Sequence, residues 1–139
     1  RPTGEPRQVT QDAGGVSFPT WSPDGKSIAY LDGERLFIAP VWRREAAWAV
    51  PAVTDGQFVQ WVRRTGTLVV CARWGASTAS VREVALDGTI VRPLPFATGS
   101  SQEVELFDFD ISAAGTLLAL QEWSAQGDVW MLEAERGGF

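Results

Sequence analysis

Residues 17–31, Ser-Phe-Pro-Thr-Trp-Ser-Pro-Asp-Gly-Lys-Ser-Ile-Ala-Tyr-Leu, predict a strand, a tight turn and a second strand. The turn is Ser22-Pro23-Asp24-Gly25, in which proline fixes φ, aspartate accepts a hydrogen bond from the backbone that follows, and glycine tolerates positive φ. The flanking segments 18–21 and 28–31 contain aromatic and β-branched residues, which favour strands. The stretch is therefore typical of a β-hairpin.

Two further stretches repeat this pattern. The first is residues 61–70, Trp-Val-Arg-Arg-Thr-Gly-Thr-Leu-Val-Val, in which Trp61 follows Trp21 by 40 positions. The second is residues 111–119, Ile-Ser-Ala-Ala-Gly-Thr-Leu-Leu-Ala, in which Ser112 follows Ser22 by 90 positions. A second mark, a small apolar residue followed by threonine, recurs every 44 residues, at Thr10, Thr54 and Thr98. A period of about 40–45 residues with four strand-like segments is typical of β-propeller blades.

The predicted fold class is all-β, with about three four-stranded antiparallel blades that make half of a six-bladed ring. Residues 1–139 form a single partial β-propeller domain, with blades near 16–53, 57–94 and 104–133. A strand at 7–11 is expected to complete a last blade. Closed propellers have roughly four to eight blades. Either a second copy of the chain closes the ring, or the chain is a piece of a longer propeller.

The first repeat, residues 18–30, resembles the repeat of TolB-type, WD-like β-propellers, which also form the non-catalytic propeller of prolyl-oligopeptidase-type enzymes. Gly-Asp-Val-Trp-Met-Leu at 127–132 and Arg-Leu-Phe-Ile at 35–38 resemble the third blade strand of that family. The chain departs from the family motif at 63–64 and 113–114, where Arg-Arg and Ala-Ala replace Pro and Asp. The resemblance implies a six-bladed fold and a scaffold that contacts proteins in the periplasm or outside the cell.

Composition argues against several classes of function. The chain has no histidine, so no Ser-His pair, Cys-His pair or histidine zinc site is expected. Its net charge of −5 disfavours binding to nucleic acid. No apolar run approaches about 18 residues, so no membrane insertion is expected. The only cysteine, Cys71, lies in a strand-like apolar context and is expected to be unreactive. We therefore expect no enzyme activity, no cofactor and no metal.

The most unusual local feature is the segment 42–48, Trp-Arg-Arg-Glu-Ala-Ala-Trp. The equivalent connection at 86–90, Leu-Asp-Gly-Thr-Ile, predicts a two-residue hairpin turn instead. Exposed tryptophan and arginine are enriched at protein interfaces. The candidate contact with a protein partner therefore consists of Trp42, Arg43, Arg44 and Trp48. The alternative, which we favour at this point, is a cross-strand Trp42–Trp48 pair that stabilises the outer hairpin.

A second candidate site lies at Asp108 and Asp110. They alternate with Phe107, Phe109 and Ile111 along the strand predicted to be innermost in its blade. We expect the two carboxylates to line a central channel. A Ca²⁺ site or an acid–base pair is the alternative.

The remaining predictions concern structure and function as a whole. The predicted turn and core positions are Trp21, Pro23, Asp24, Gly25, Trp61, Gly115 and Trp130, with Tyr30 and Phe37 also in the core. The predicted function is a non-enzymatic β-propeller scaffold that mediates protein–protein interaction. The alternatives are the propeller portion of a larger prolyl-oligopeptidase-type hydrolase and a carbohydrate-binding propeller.

Overall fold

The computed structural model describes residues 4, 6–10, 15–42, 46–75, 79–94, 105–112, 117–123 and 128–133, and of 105–108, 117–123 and 128–133 it describes the backbone only. This part of the chain is all-β and contains no helix. Its strands are β1 (Val16–Trp21), β2 (Ser27–Asp32), β3 (Arg35–Pro40), β4 (Trp48–Ala49), β5 (Gly56–Trp61), β6 (Leu68–Arg73), β7 (Ala79–Val84), β8 (Ile90–Leu94), β9 (Glu105–Ile111), β10 (Leu117–Trp123) and β11 (Asp128–Glu133).

The strands form three antiparallel sheets in which neighbours in sequence are neighbours in space. Strands β1–β4 make the first sheet, β5–β8 the second, and β9–β11 a three-stranded third sheet. Each sheet is thus built from successive local hairpins, which is why strand positions are readable from sequence. The prediction of an all-β fold is confirmed. The fourth strand of the first sheet has only two residues, since the chain turns at Pro51, two positions after the end of β4.

The predicted strand at 7–11 belongs to the N-terminal segment of the chain. Residues 6–10 form no strand in the single chain. The guanidinium of Arg7 instead donates a hydrogen bond to the main-chain oxygen of Val41. A strand needs a neighbouring strand to satisfy its backbone groups, and none of the described strands pairs with this segment. The predicted strand at 7–11 would complete a blade with strands from outside this single chain, so it stays a prediction, and Gln11 lies outside the described part of the chain.

The turn between β1 and β2 has the geometry that its sequence predicts. The Gly25 amide donates to the main-chain oxygen of Ser22 at 2.9 Å, and Gly25 has a φ of +67°. The Ser22 hydroxyl donates to Asp24 Oδ1 at 2.7 Å and accepts from the Ser27 amide at 2.9 Å. The Lys26 amide also donates to Asp24 Oδ1, at 3.0 Å. These bonds hold the pKa of Asp24 below its ordinary value of 3.8, the Ser22 hydroxyl being the largest cause.

This lowered pKa predicts a pH-dependent contribution to stability. The folded state favours the carboxylate of Asp24, so the contribution is complete above pH 3.8 and is lost as the pH falls through the folded pKa. The variant Asp24→Asn should therefore have a lower melting temperature than the wild type at neutral pH. The difference should shrink below pH 3.8, as measured by circular dichroism melts across the acid range.

The matched control is Ser22→Ala, which removes the main hydrogen-bond donor to Asp24. When Ser22 is alanine, the difference in melting temperature caused by Asp24→Asn should change less between neutral and acid pH than it does in the wild type. An Asp24→Asn difference that stays constant from neutral pH to well below 3.8 would contradict the role of the carboxylate.

The larger core lies between the first and second sheets. Its buried side chains come from alternate positions of the facing strands: Ala29, Leu31, Leu36, Ile38, Val59, Trp61, Leu68, Val70, Ala72 and Val84. The two sheets come into backbone contact at Gly56, whose amide donates to the main-chain oxygen of Glu34 at 2.7 Å. A Cβ at Gly56 would lie only 2.9 Å from Leu31 Cδ2 and 3.1 Å from that oxygen. Glycine is thus required where β5 passes the β2–β3 turn.

A second core lies between the second and third sheets. It contains Val62, Val69, Cys71, Val81, Leu94 and Phe109, with Phe58 and Ile111 packed against it. Burial raises the pKa of the Cys71 thiol to about 12. The thiol is therefore protonated at neutral pH, in agreement with the expectation that it is unreactive.

The predicted core tryptophans differ in burial. Trp61 is only 6% exposed and its indole N–H donates to the main-chain oxygen of Thr20 at 3.0 Å. Trp21, at the equivalent position of the first sheet, is 55% exposed. The difference arises because Trp61 packs against a preceding sheet and Trp21 has no preceding sheet among the described residues, so a place for Trp21 in a core between blades stays a prediction.

The other predicted core aromatics are placed as follows. Tyr30 is fully buried, and its ring stacks on that of the half-buried Phe37 across the β2–β3 pair, with centroids 5.8 Å apart. Trp130 lies in β11 opposite Leu120, but its side chain is outside the described part of the chain. Gly115 is outside it altogether.

Candidate functional site

The first strand of each sheet carries an irregularity of the same kind. Register shifts occur in β1 between Ser17 and Thr20, in β5 between Gly56 and Phe58, and in β9 opposite Gln121. Such bulges bend a strand and re-aim its side chains. Because β5 contacts both β1 and β9, the three bulged strands lie next to one another. We call β1, β5 and β9 the inner strands.

A row of aromatic rings crosses the inner strands. Phe18 meets Phe58 edge to face with centroids 4.9 Å apart, and Phe58 meets Phe109 in the same way at 4.7 Å. Each such contact contributes about 0.5–1.5 kcal/mol beyond area burial. Phe109 is buried, whereas Phe18 is 41% exposed and has a φ of +52°, an uncommon value for a residue other than glycine. The row thus ties the three sheets together and ends in an exposed, strained residue.

The predicted channel residues, Asp108 and Asp110, lie in β9, one of the inner strands. Asp110 is exposed, and its Oδ1 accepts hydrogen bonds from Gln60 Nε2 at 3.1 Å and from the Ile111 amide at 2.9 Å. Its observed role is therefore to link β9 to β5. Asp108 lies in β9 opposite Gln121, and its side chain is outside the described part of the chain. Pairing of the two carboxylates stays a prediction.

Trp42 is the most exposed large hydrophobic residue of the described chain, at 73%. Two contacts nevertheless orient its ring. The indole N–H donates to the main-chain oxygen of Gly25 at 3.1 Å, and the Arg7 guanidinium carbon lies 5.8 Å from the ring centroid. The Gly25 contact ties the end of β3 to the β1–β2 turn. We call Trp42 with Arg7 and Gly25 the Trp42 surface.

The second tryptophan of the segment 42–48 does not pair with the first. Trp48 lies opposite Ile38 in the β3–β4 pair, and Trp42 lies beyond the end of β3. The cross-strand Trp42–Trp48 pair, which we favoured from sequence, is therefore wrong, because the strand partner of Trp48 is Ile38, four positions before Trp42. Trp48 is 41% exposed. Arg43 and Arg44 lie outside the described residues.

A buried carboxylate in the second sheet was not predicted. Glu83 of β7 is only 3% exposed, and Oε2 accepts from Arg92 Nε of β8 at 2.8 Å. Oε1 accepts from the Thr67 hydroxyl at 2.5 Å and more distantly from the Thr65 hydroxyl at 3.4 Å. The cluster ties the β5–β6 turn to the two outer strands of the second sheet. Arg63 and Arg64 of the same turn are exposed.

Neither Glu83 nor the aromatic row gave a strong signal in the sequence. Glu83 alternates with Val81 along β7 and occupies an interior position, which an alternation pattern assigns to an apolar residue. The phenylalanines could have been found by aligning the repeats, since Phe18 and Phe58 each precede their tryptophan by three residues. Phe109 breaks that spacing, because it precedes Ile111 by two.

The described residues show neither a metal cluster nor a membrane-spanning helix. The described residues contain no group of three or more His, Cys, Asp or Glu side chains placed to hold a metal ion. The same residues include no helix long and apolar enough to cross a membrane. No protein-family model matches the chain, and no curated protein is significantly similar to it.

Proposed function

We propose that this chain is a non-enzymatic scaffold of the β-propeller type that binds a protein partner through the Trp42 surface. The observation that carries the proposal is the exposed but oriented tryptophan, with its ring 73% accessible and its indole N–H fixed to Gly25. A preordered aromatic side chain can bury a large area at a low cost in conformational entropy. Such residues are frequent hot spots of protein interfaces.

The propeller part of the proposal rests on the repetition of the sheets. Each sheet is an antiparallel meander, each begins with a bulged inner strand, and adjacent sheets pack through apolar faces. Radially repeated meanders of about four strands are the building blocks of propellers. The TolB-type resemblance of the β1–β2 hairpin points to the same architecture. Loops at the ends of such blades commonly supply binding surfaces.

The chemistry of the Trp42 surface indicates the kind of partner. The Arg7 guanidinium lies beside the exposed ring. It is thus a local positive charge on a chain whose net charge is −5. A cationic group beside an aromatic face suits a carboxylate next to an apolar side chain. We therefore propose a protein partner with an acidic residue on the rim of a small apolar pocket.

The proposal predicts that Trp42 contacts the partner directly. A photoreactive phenylalanine analogue at position 42 should cross-link the partner in the native host, and the same analogue at Val91 should not. Val91 is the matched position, since it is also exposed and apolar and lies in another sheet. With the cross-linked partner purified, Trp42→Ala should weaken the dissociation constant by about 30-fold or more, the loss expected for a hot spot.

Arg7→Ala should have a smaller effect, about 2- to 5-fold, because an exposed cation–π contact contributes little. Circular dichroism should show that both variants keep the wild-type fold. Unchanged binding by Trp42→Ala, or equal cross-linking from positions 42 and 91, would show that the Trp42 surface is not the contact.

A further inference from the structure

Trp21 stands at the exposed margin of the first sheet. Trp21, Val16 and Ile28 share the face of that sheet that points away from the second sheet. Trp21 and Val16 are exposed and Ile28 is half-buried, whereas Tyr30 on the same face is buried. The exposed apolar area is therefore concentrated along β1. We call Val16, Trp21 and Ile28 the Trp21 strip.

The other two sheets show what covers this position. Trp21, Trp61 and Ile111 are equivalent, because each ends the first strand of its sheet and pairs with a residue at the start of the second strand. Their strand partners are Ile28, Leu68 and Leu118. Trp61 packs into the core shared with the first sheet, and Ile111 packs against the core shared with the second. In both cases the residue that ends an inner strand is covered by the preceding sheet. Trp21 is the equivalent residue without such a cover among the described residues.

Among the three described sheets, the one that could cover Trp21 can be found by elimination. We call the face of a sheet that points toward the next sheet in chain order its forward face. The forward face of the first sheet packs against the second sheet, and the forward face of the second packs against the third. Among the described sheets, only the forward face of the third sheet remains, that is, the face on the side away from the second sheet. By register, the positions equivalent to Ala29, Leu36 and Ile38 of the first sheet are Ala119, Val129 and Met131. Apolar residues thus occupy these three positions of the third sheet, and Gln121 occupies the position equivalent to Leu31.

We infer that the Trp21 strip docks against the third sheet of a second copy of this chain. The contact repeats the one between the second and first sheets, in which Trp61 donates to the main-chain oxygen of Thr20. Asp110 is the register equivalent of Thr20. The indole N–H of Trp21 therefore donates to the main-chain oxygen of Asp110 in the second copy. A head-to-tail contact of this kind closes into a ring when the rotation allows it.

This inference rests on the equivalence of the three sheets and does not depend on the Trp42 surface. It is tested by sedimentation velocity of the intact chain from low to high micromolar concentration. The wild type should change from a species of 15.1 kDa to one of twice that mass. Trp21→Ala should raise the dissociation constant of self-association by about tenfold or more, as expected for an interface tryptophan.

Val91→Ala is the matched control, because Val91 is 51% exposed and lies in the second sheet. It should associate like the wild type. Trp21→Glu, which places a charge at the docked position, should prevent association, and circular dichroism should show that the monomer stays folded. A wild type that is monomeric at every concentration overturns the inference. So does a Trp21→Ala variant that associates as tightly as the wild type.

Discussion

Replacement of Trp61 by alanine should lower the free energy of unfolding by about 3–5 kcal/mol, the usual cost of removing a buried large aromatic side chain. Trp61 is packed between the first and second sheets among Ala29, Leu68 and Val70. The substitution leaves a cavity there and removes the hydrogen bond to the Thr20 oxygen. Urea unfolding followed by far-ultraviolet circular dichroism measures the loss.

The repeat supplies a control for this prediction. Trp21→Ala removes the same side chain from the equivalent register position, but from an exposed environment. Measured at a concentration where the chain is monomeric, it should cost about 1 kcal/mol or less, since exposed substitutions usually have small effects. Equal losses for Trp61→Ala and Trp21→Ala would contradict the packing of the two sheets.

Removal of the buried carboxylate should have the second largest effect. Glu83→Ala should lower the free energy of unfolding by about 2–4 kcal/mol, because it removes the buried carboxylate that accepts hydrogen bonds from Arg92 and from the Thr67 hydroxyl. The lower end of the range allows for solvent around the Arg92 side chain, which is 37% exposed. Urea unfolding at neutral pH gives the value.

Glu83→Gln separates charge from volume in this cluster. The amide oxygen can still accept from Thr67, so the loss should be about half that of Glu83→Ala, with the remainder due to Arg92. A double-mutant cycle with Arg92→Ala should show a favourable coupling energy for the Glu83–Arg92 pair. A Glu83→Ala variant as stable as the wild type would show that the cluster does not fasten the β5–β6 turn to β7 and β8.

Much of the fold could be predicted because its determinants are local. The Ser22–Gly25 turn and the strands around it follow from residues within ten positions of one another, and hydrogen bonds within the turn fix its geometry. The same holds for the turn at Asp87, whose carboxylate accepts from the Thr89 amide at 2.8 Å. Alternation then assigns residues such as Leu68 and Val70 to a single buried face.

The candidate site could be predicted only in part. The segment 42–48 was singled out from its composition, and the exposure of Trp42 agrees with a surface role. Its partners were not predictable, because Arg7 is 35 residues away in sequence and the Gly25 oxygen belongs to another hairpin. The pairing of Trp48 was missed because register depends on where β4 meets β3, and a loop of this length does not fix that.

The sequence by itself determined the all-β class, the positions of most strands and the chemistry of the turns, since those depend on neighbouring residues. Only the tertiary structure decided which members of a repeat are buried. Trp21 and Trp61 occupy the same register position, yet one is exposed and the other is in the core. Burial is a property of the sheet packed against a side chain, and the residues beside each tryptophan do not encode the presence of that sheet.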